Sequence, residues 1–377
     1  MKSLTITPLL LFLTLLTPVL ASRDLFEHWY PEYGFIFKRL ISEKCSSEYD
    51  WYKTQHGNHT YMHEQTKWFG AGPTKTEELV VPLVNCLMEV CPEFMKSNMA
   101  SANVLLGLAP VMLAALGSNL DETSILTVVG NRPILALALA AGSTSVISMR
   151  PFEHRDPLES LKPREGGMIP TFFPFHIEAM ISVFEHVMVF AAVANVATLG
   201  YALGHDTIMA FAPGYTYLIL IWAFFTPIVH VMAAVALRIR ARHVQEEFQV
   251  ESDDSYTYNG WFKWMLVGYS EGCLPQRVVL KRDNVWSLLM SCILSLCATC
   301  HVILGTLAFS SMLFISARDG VAVLGRFMAS VFVCRLILSY ELAKLRVLYN
   351  SDRRSLSGLS GTGSYHYLMS WPHMRGK

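Results

Sequence analysis

Lys and Arg alternate between abundant and nearly absent in the connections that separate the long apolar stretches of this chain. Connection 149–174 carries four (Arg150, Arg155, Lys162, Arg164), 205–214 none, 238–285 seven, 316–320 only Arg318, and 339–377 six. Basic segments stay on the cytoplasmic face during insertion, so the alternation predicts a chain threaded back and forth through a bilayer with its C-terminus inside. Composition agrees: 52% of residues are hydrophobic and 16% charged, against about a quarter charged in an average soluble domain. The net charge of zero leaves no electrostatic footprint for nucleic acid. The partner implied is the lipid bilayer, and no protein partner is legible.

The amino terminus carries an address. Lys2 precedes an apolar run from Leu9 to Leu20, and Val19-Leu20-Ala21 fits a small-residue cleavage site. A run of about a dozen residues is short of the roughly 20 that a span needs, so residues 1–21 are expected to be a secretory signal peptide. Residues 22–100 mix aromatics such as Trp29, Phe37, Tyr52 and Trp68 with charges and contain no spanning stretch. They predict a small lumenal or extracellular domain. That location gives sense to the sequon Asn58-His59-Thr60 as a glycan acceptor and to Cys45, Cys86 and Cys91 as disulfide candidates. Cys86 and Cys91 could close a small loop, or Cys45 could pair with either, leaving one thiol over.

Two spans, 175–204 and 215–237, are unambiguous by length; 286–315 is longer than a bilayer needs and must tilt or continue beyond the hydrocarbon, and 321–340 follows it in a second tight hairpin. Region 101–148 is harder, because two apolar segments, Ser101–Gly117 and Pro133–Met149, flank a stretch holding Asp121 and Glu122. Counting both as spans gives six, and six spans after a lumenal domain would put every basic connection on the wrong face. A single net crossing, made of one span plus a re-entrant or interfacial helix, restores the charge pattern. Six spans with a cytosolic amino-terminal domain also satisfy it. The fold class expected is therefore all-α: a polytopic helical membrane protein of five to six transmembrane helices with a small lumenal or extracellular amino-terminal domain.

The run Met99-Ala100-Ser101-Ala102-Asn103-Val104-Leu105-Leu106-Gly107-Leu108-Ala109-Pro110 leads on through Leu116-Gly117-Ser118, Glu122, Arg132-Pro133 and Gly142-Ser143 to Arg150 and Pro157. This stretch resembles a group of uncharacterised multi-pass membrane proteins predicted from filamentous fungal genomes, in which such a run follows a cysteine-bearing amino-terminal segment. The resemblance extends more faintly over the later spans. It implies a membrane protein, a fungal origin and no particular chemistry.

Ionisable groups inside a bilayer are costly, and each warrants a functional reading. Glu178, Ser182 and Glu185 recur at spacings of four and three and share one helix face, with His186 beside them; Glu185 and His186 are expected near mid-depth. A carboxylate beside an imidazole there would relay protons or bind a cation, as in a proton-coupled transporter; the bland reading makes both packing groups. His230 and His301 are expected near the middle of their spans, yet three lone histidines do not make the facing pairs that a membrane haem needs. Cys292 lies about five residues, or roughly 140° around a helix, from Cys297, so Cys292, Cys297 and Cys300 cannot share one metal ion. Arg326 and Arg335 are expected to snorkel toward opposite ends of their span, and Arg335 is a candidate partner for Glu185. The candidate polar path is thus Glu185, His186, His230 and Arg335. No nucleophile-and-base pair, cofactor motif or metal set stands out.

Connections 149–174 and 238–285 are expected in the cytosol, the latter with Trp261-Phe262-Lys263-Trp264-Met265-Leu266 as an interfacial helix. The tail 341–377, rich in Ser and Gly from Ser351, is expected to be cytosolic and disordered. Two functional classes follow for this integral membrane protein of the secretory pathway, with the plasma membrane as one destination. One is a transporter or channel-like protein with a polar intramembrane path. The other is a non-catalytic, membrane-anchored sensor or assembly protein that recognises through its lumenal domain.

Overall fold

The computed structural model describes residues 25–54, 64, 67, 77–147, 161, 175–243, 278–280 and 285–359. Residues 1–24, expected to hold a signal peptide, the Asn58 sequon, most of 149–174, the Trp261–Leu266 stretch and the tail beyond 359 lie outside them. The described chain is an all-α membrane protein with only two two-stranded ladders. In chain order its helices are α1 (Gly34–Glu43), α2 (Ser46–Thr54), α3 (Glu77–Val90), α4 (Glu93–Leu116), α5 (Leu120–Val128), α6 (Pro133–Ser143), α7 (Phe175–Asp206), α8 (Leu218–Arg240), α9 (Val285–Ser310) and α10 (Ala317–Leu359). Five of these, α4 and α7 to α10, are long and apolar enough to cross a membrane. Their outer faces are apolar: Met180 and Phe184 on α7, Trp286 and Leu304 on α9 and Phe332 on α10 are all exposed, as lipid-facing side chains should be.

The helix ends sort into two levels. At one level β1 (Ile208–Met209), between α7 and α8, pairs antiparallel with β4 (Met312–Leu313), between α9 and α10. The amino-terminal unit α1–α3 packs onto this end: Trp29, Phe37 and Phe314 form a ring cluster with centroids 4.9–5.5 Å apart. The Asn98 Oδ1 accepts from the Ala317 backbone N–H at 2.7 Å, and the Ser316 hydroxyl donates to Glu32 at 2.8 Å, so this unit helps cap the start of α10. Cys45, at the α1–α2 junction, is bonded to Cys86 of α3; Cys91 is a buried free thiol. That resolves the pairing left open by spacing. At the opposite level β2 (Ala241–His243) pairs with β3 (Val278–Leu280).

The ambiguous region is built as a broken helix followed by a half-helix. Helix α4 starts at Glu93, well before 101, and its first turns belong to the amino-terminal unit, where Met95 and Met99 are buried. Leu106 is level with Gly320 in the first turn of α10, while Gly117 lies against Ser145. The Ser145 carbonyl accepts from His230, twelve residues into the 23-residue α8. So α4 stops half-way through the bundle. Non-helical backbone at Gly117–Asn119 follows, and α5 completes the crossing. Helix α5 opens with a capping box, Asn119 and Glu122 each bonding the other's backbone N–H.

Arg132 then turns the chain. Its φ of −116° and ψ of 63° follow from Pro133, which bars helical geometry to the residue before it and is itself well placed at the first helical position. Helix α6 runs back toward the middle and ends at Thr144, held in the left-handed region with φ 44°, level with α5's start: the Ser118 and Ser143 hydroxyls are 3.0 Å apart and Asn119 bridges to Ile147. Gly142 lets α6 close on its neighbours, since a Cβ there would stand 2.8 Å from the Cys334 Sγ of α10. Buried almost all round by α7, α8 and α10, α5 and α6 can carry interrupted backbone at membrane depth, which lipid would not tolerate. The amino-terminal unit and the end of α10 accordingly lie at opposite faces.

One expectation is corrected here. Residues 341–359 are not a disordered tail, because α10 continues to Leu359 and buries Leu342 and Leu345 against Leu126, Leu139 and Leu161. Tertiary packing holds the first turns of this stretch, at Leu342 and Leu345, in the bundle.

Candidate functional site

The α5–α6 hairpin carries Arg132 at its tip into the bundle, where the side chain is 4% exposed. Nη1 lies 3.2 Å from Glu185 Oε2 of α7 and 2.6 Å from Glu341 Oε2 of α10, and Nη2 donates to the Ser182 hydroxyl of α7. Glu185 and Glu341 thus share one nitrogen of Arg132, and Glu341 is wholly buried. One turn closer to the basic connections, Lys344 of α10 donates to Glu178 of α7 and sits over the Tyr340 ring at 5.3 Å. Glu178, Ser182 and Glu185 therefore do share one buried face of α7. Beside them Arg335 of α10 makes a two-pronged pair with Glu122 of α5. Helix α5 and the turn into α6 are thereby tied by charge to α7 and α10.

This cluster is displaced from the bilayer centre. Glu185 is eight residues from Ile177 at the start of the α7 span, about 12 Å along the axis, in the half next to the basic connections. Mid-depth belongs instead to His230, whose ring clamps the broken helices. Its Nε2 donates to the Ser145 carbonyl at 2.9 Å, and Nδ1 meets the Thr123 hydroxyl of α5 at 2.6 Å. His301 of α9 stacks on Trp222 of α8 with ring centroids 4.8 Å apart. His186 is half-buried and donates to the Ser182 carbonyl of its own helix at 2.7 Å. Cys292 and Cys300 are exposed on α9 and Cys297 is half-buried.

The four residues of the expected polar path thus fall into separate places. Glu185 joins the Arg132 cluster, His230 is a clamp at mid-depth, Arg335 pairs with Glu122 rather than with Glu185, and His186 serves its own helix. Three members of the cluster were not singled out from the sequence. Arg132 reads there as part of a polar connector, and Glu341 and Lys344 as the start of a tail. For Glu341 and Lys344 the signal is helical spacing, since they continue the face of α10 on which Cys334, Leu338 and Leu342 are buried.

His230→Leu should lower stability by about 1–3 kcal/mol, the cost of a buried acceptor left unpaired, because the Ser145 carbonyl loses its donor while Thr123 still reaches the Asn119 and Leu120 carbonyls. Thermal unfolding in detergent measures it; an unchanged midpoint would remove His230 from the clamp. Comparison of the chain with protein-family models, curated proteins and solved structures gave no match.

Proposed function

We propose that this is a proton-translocating protein of a secretory-pathway membrane, with the Glu185–Glu341 pair as the site where protons bind and leave. The observation that carries the reading is that two buried carboxyl groups, from α7 and α10, meet on one nitrogen of a single guanidinium offered by the turn between α5 and α6. An ionised carboxylate only accepts hydrogen bonds, so two of them drawn to one nitrogen of Arg132 are best served by a proton on one of the two. When it leaves, two negative charges compete for Arg132. The balance of pull on the hairpin tip then changes, which couples proton exchange to the half-helices at mid-depth.

The orientation belongs to the same proposal. With the amino-terminal unit lumenal or extracellular, connections 149–174 and 238–285 and the end of α10 all face the cytosol, and the Cys45–Cys86 disulfide lies in an oxidising compartment. Kinship with the fungal multi-pass proteins is likewise proposed; the 99–157 stretch that carries it includes the whole hairpin.

Purified protein in sealed vesicles, with an imposed pH gradient and the potential clamped by potassium and valinomycin, tests the reading. Wild-type vesicles should dissipate the gradient faster than empty ones. Glu185→Gln and Glu341→Gln, which keep shape while fixing the neutral form, should each abolish the excess flux yet remain monodisperse. Wild-type flux equal to that of empty vesicles, or full flux in both Gln variants, would overturn it.

A further inference from the structure

Arg326 of α10 differs from Arg132 and Arg335 of the same bundle. Arg132 and Arg335 each hold a carboxylate, whereas among the described residues Arg326 holds only neutral groups while facing outward, where lipid lies. Its Nε and Nη2 donate to the Asn195 Oδ1 of α7 at 3.0 and 2.7 Å, and Nη2 also reaches the Thr198 hydroxyl at 3.3 Å. Asn195 is itself fixed, its Nδ2 donating to the Arg326 carbonyl at 3.0 Å and to the Ser330 hydroxyl at 2.8 Å. The guanidinium is thus held in one orientation by groups that do not neutralise it. A guanidinium has five N–H donors, and among the described residues the two on Nη1 meet no partner.

The surroundings leave room for a ligand. Ala322, Gly325 and Ala329 of α10 and Ala194 of α7 are exposed beside Arg326. A Cβ built on Gly325 would meet nothing within 4 Å. The depth is suitable as well. Thr198 is eight residues from the end of α7 at Asp206, about 12 Å. The span Ile177–Asp206 has 30 residues, about 45 Å, and exceeds a hydrocarbon core of about 30 Å by about 15 Å. Shared between both ends, the excess leaves the guanidinium a few ångströms below the headgroups on the side of the amino-terminal unit. The side chain leans that way already, because Cβ vectors tilt toward a helix N-terminus and α10 begins on that side.

We propose that Arg326 binds the phosphate of a phospholipid in the leaflet next to the amino-terminal unit, with an acyl chain along the small-residue groove of α7 and α10. A planar guanidinium with a free N–H pair suits a phosphate. A second copy of the chain is a poorer occupant, since twofold pairing on this face would bring two Arg326 side chains together without a counter-charge.

Native mass spectrometry of the full-length protein, incubated with phosphatidylglycerol or with diacylglycerol of the same acyl chains, tests this. The wild type should retain phosphatidylglycerol and not diacylglycerol, and Arg326→Gln should reduce retention about tenfold, the equivalent of one charge-assisted contact. Arg326→Lys keeps the charge without the fork and should also lose retention severalfold; it decides the matter if the Gln variant does not fold. Equal retention by the wild type and the folded variants, equal retention of diacylglycerol, or a dimer mass that disappears with Arg326→Gln would overturn the proposal.

Discussion

Arg132→Met is expected to destabilise the folded protein by about 3–5 kcal/mol, because it leaves buried acids facing one another with no cation between them. Glu185 is 4% exposed and Glu341 is fully buried, so water cannot take over the role of the guanidinium. The loss should not be read as the net worth of the ion cluster. Replacing a buried charged group as a whole is often neutral, since the desolvation of every member is removed together. Adding Glu185→Gln and Glu341→Gln to Arg132→Met should therefore recover most of the lost stability while leaving the protein without its proton site. Thermal unfolding in lipid nanodiscs, together with the amount of protein reaching the membrane, measures both steps. A triple variant as unstable as Arg132→Met alone would show that the arginine acts through the turn it caps, not through the acids.

The physical reason why the spans were legible and the site was not lies in what each pattern has to signal. The stretches 175–204, 215–237 and 286–315 have lengths that only a bilayer demands, and the structure places Phe175–Asp206, Leu218–Arg240 and Val285–Ser310 there. The stretch 321–340 falls within the longer α10. Region 101–148 carries the same apolar composition for another reason. Helices α5 and α6 are enclosed by protein on nearly all sides, so they need neither a polar face nor spanning length, and seventeen apolar residues cannot be told from half a span plus an exposed start. The break itself was marked only by Gly117-Ser118-Asn119 and by Ser143-Thr144-Ser145, which read equally well as packing residues. Glu178, Ser182 and Glu185 were legible because their spacing stays within one helix. Arg132, Glu341 and Lys344 join them only through tertiary contacts from two other elements, and composition alone assigned those elements to a connector and a tail.

Loss of the Cys45–Cys86 disulfide should weaken the amino-terminal unit by about 4 kcal/mol, the chain-entropy value for a loop of this size, since the two cysteines are 41 residues apart. The unit has little else to spend against that entropy. Its core is one layer of side chains from three short helices, including Phe37, Tyr52, Leu83 and Leu87, closed on Ile208 and Phe314 from the helical bundle. Helices α7 to α10 and the Arg132 cluster make no use of the bridge, so the effect should stay local. Cys91 reports it. The thiol is buried, and burial raises its pKa above the ordinary value, so in the intact unit it should resist a water-soluble alkylating reagent at neutral pH both for want of access and for want of thiolate. In Cys45→Ser/Cys86→Ser the unit should open more often, and labelling of the Cys91 peptide should rise by two to three orders of magnitude, as about 4 kcal/mol dictates when opening limits the reaction. A Cys91 labelling rate that does not change would mean that packing on Phe314, not the disulfide, sets the stability of this unit.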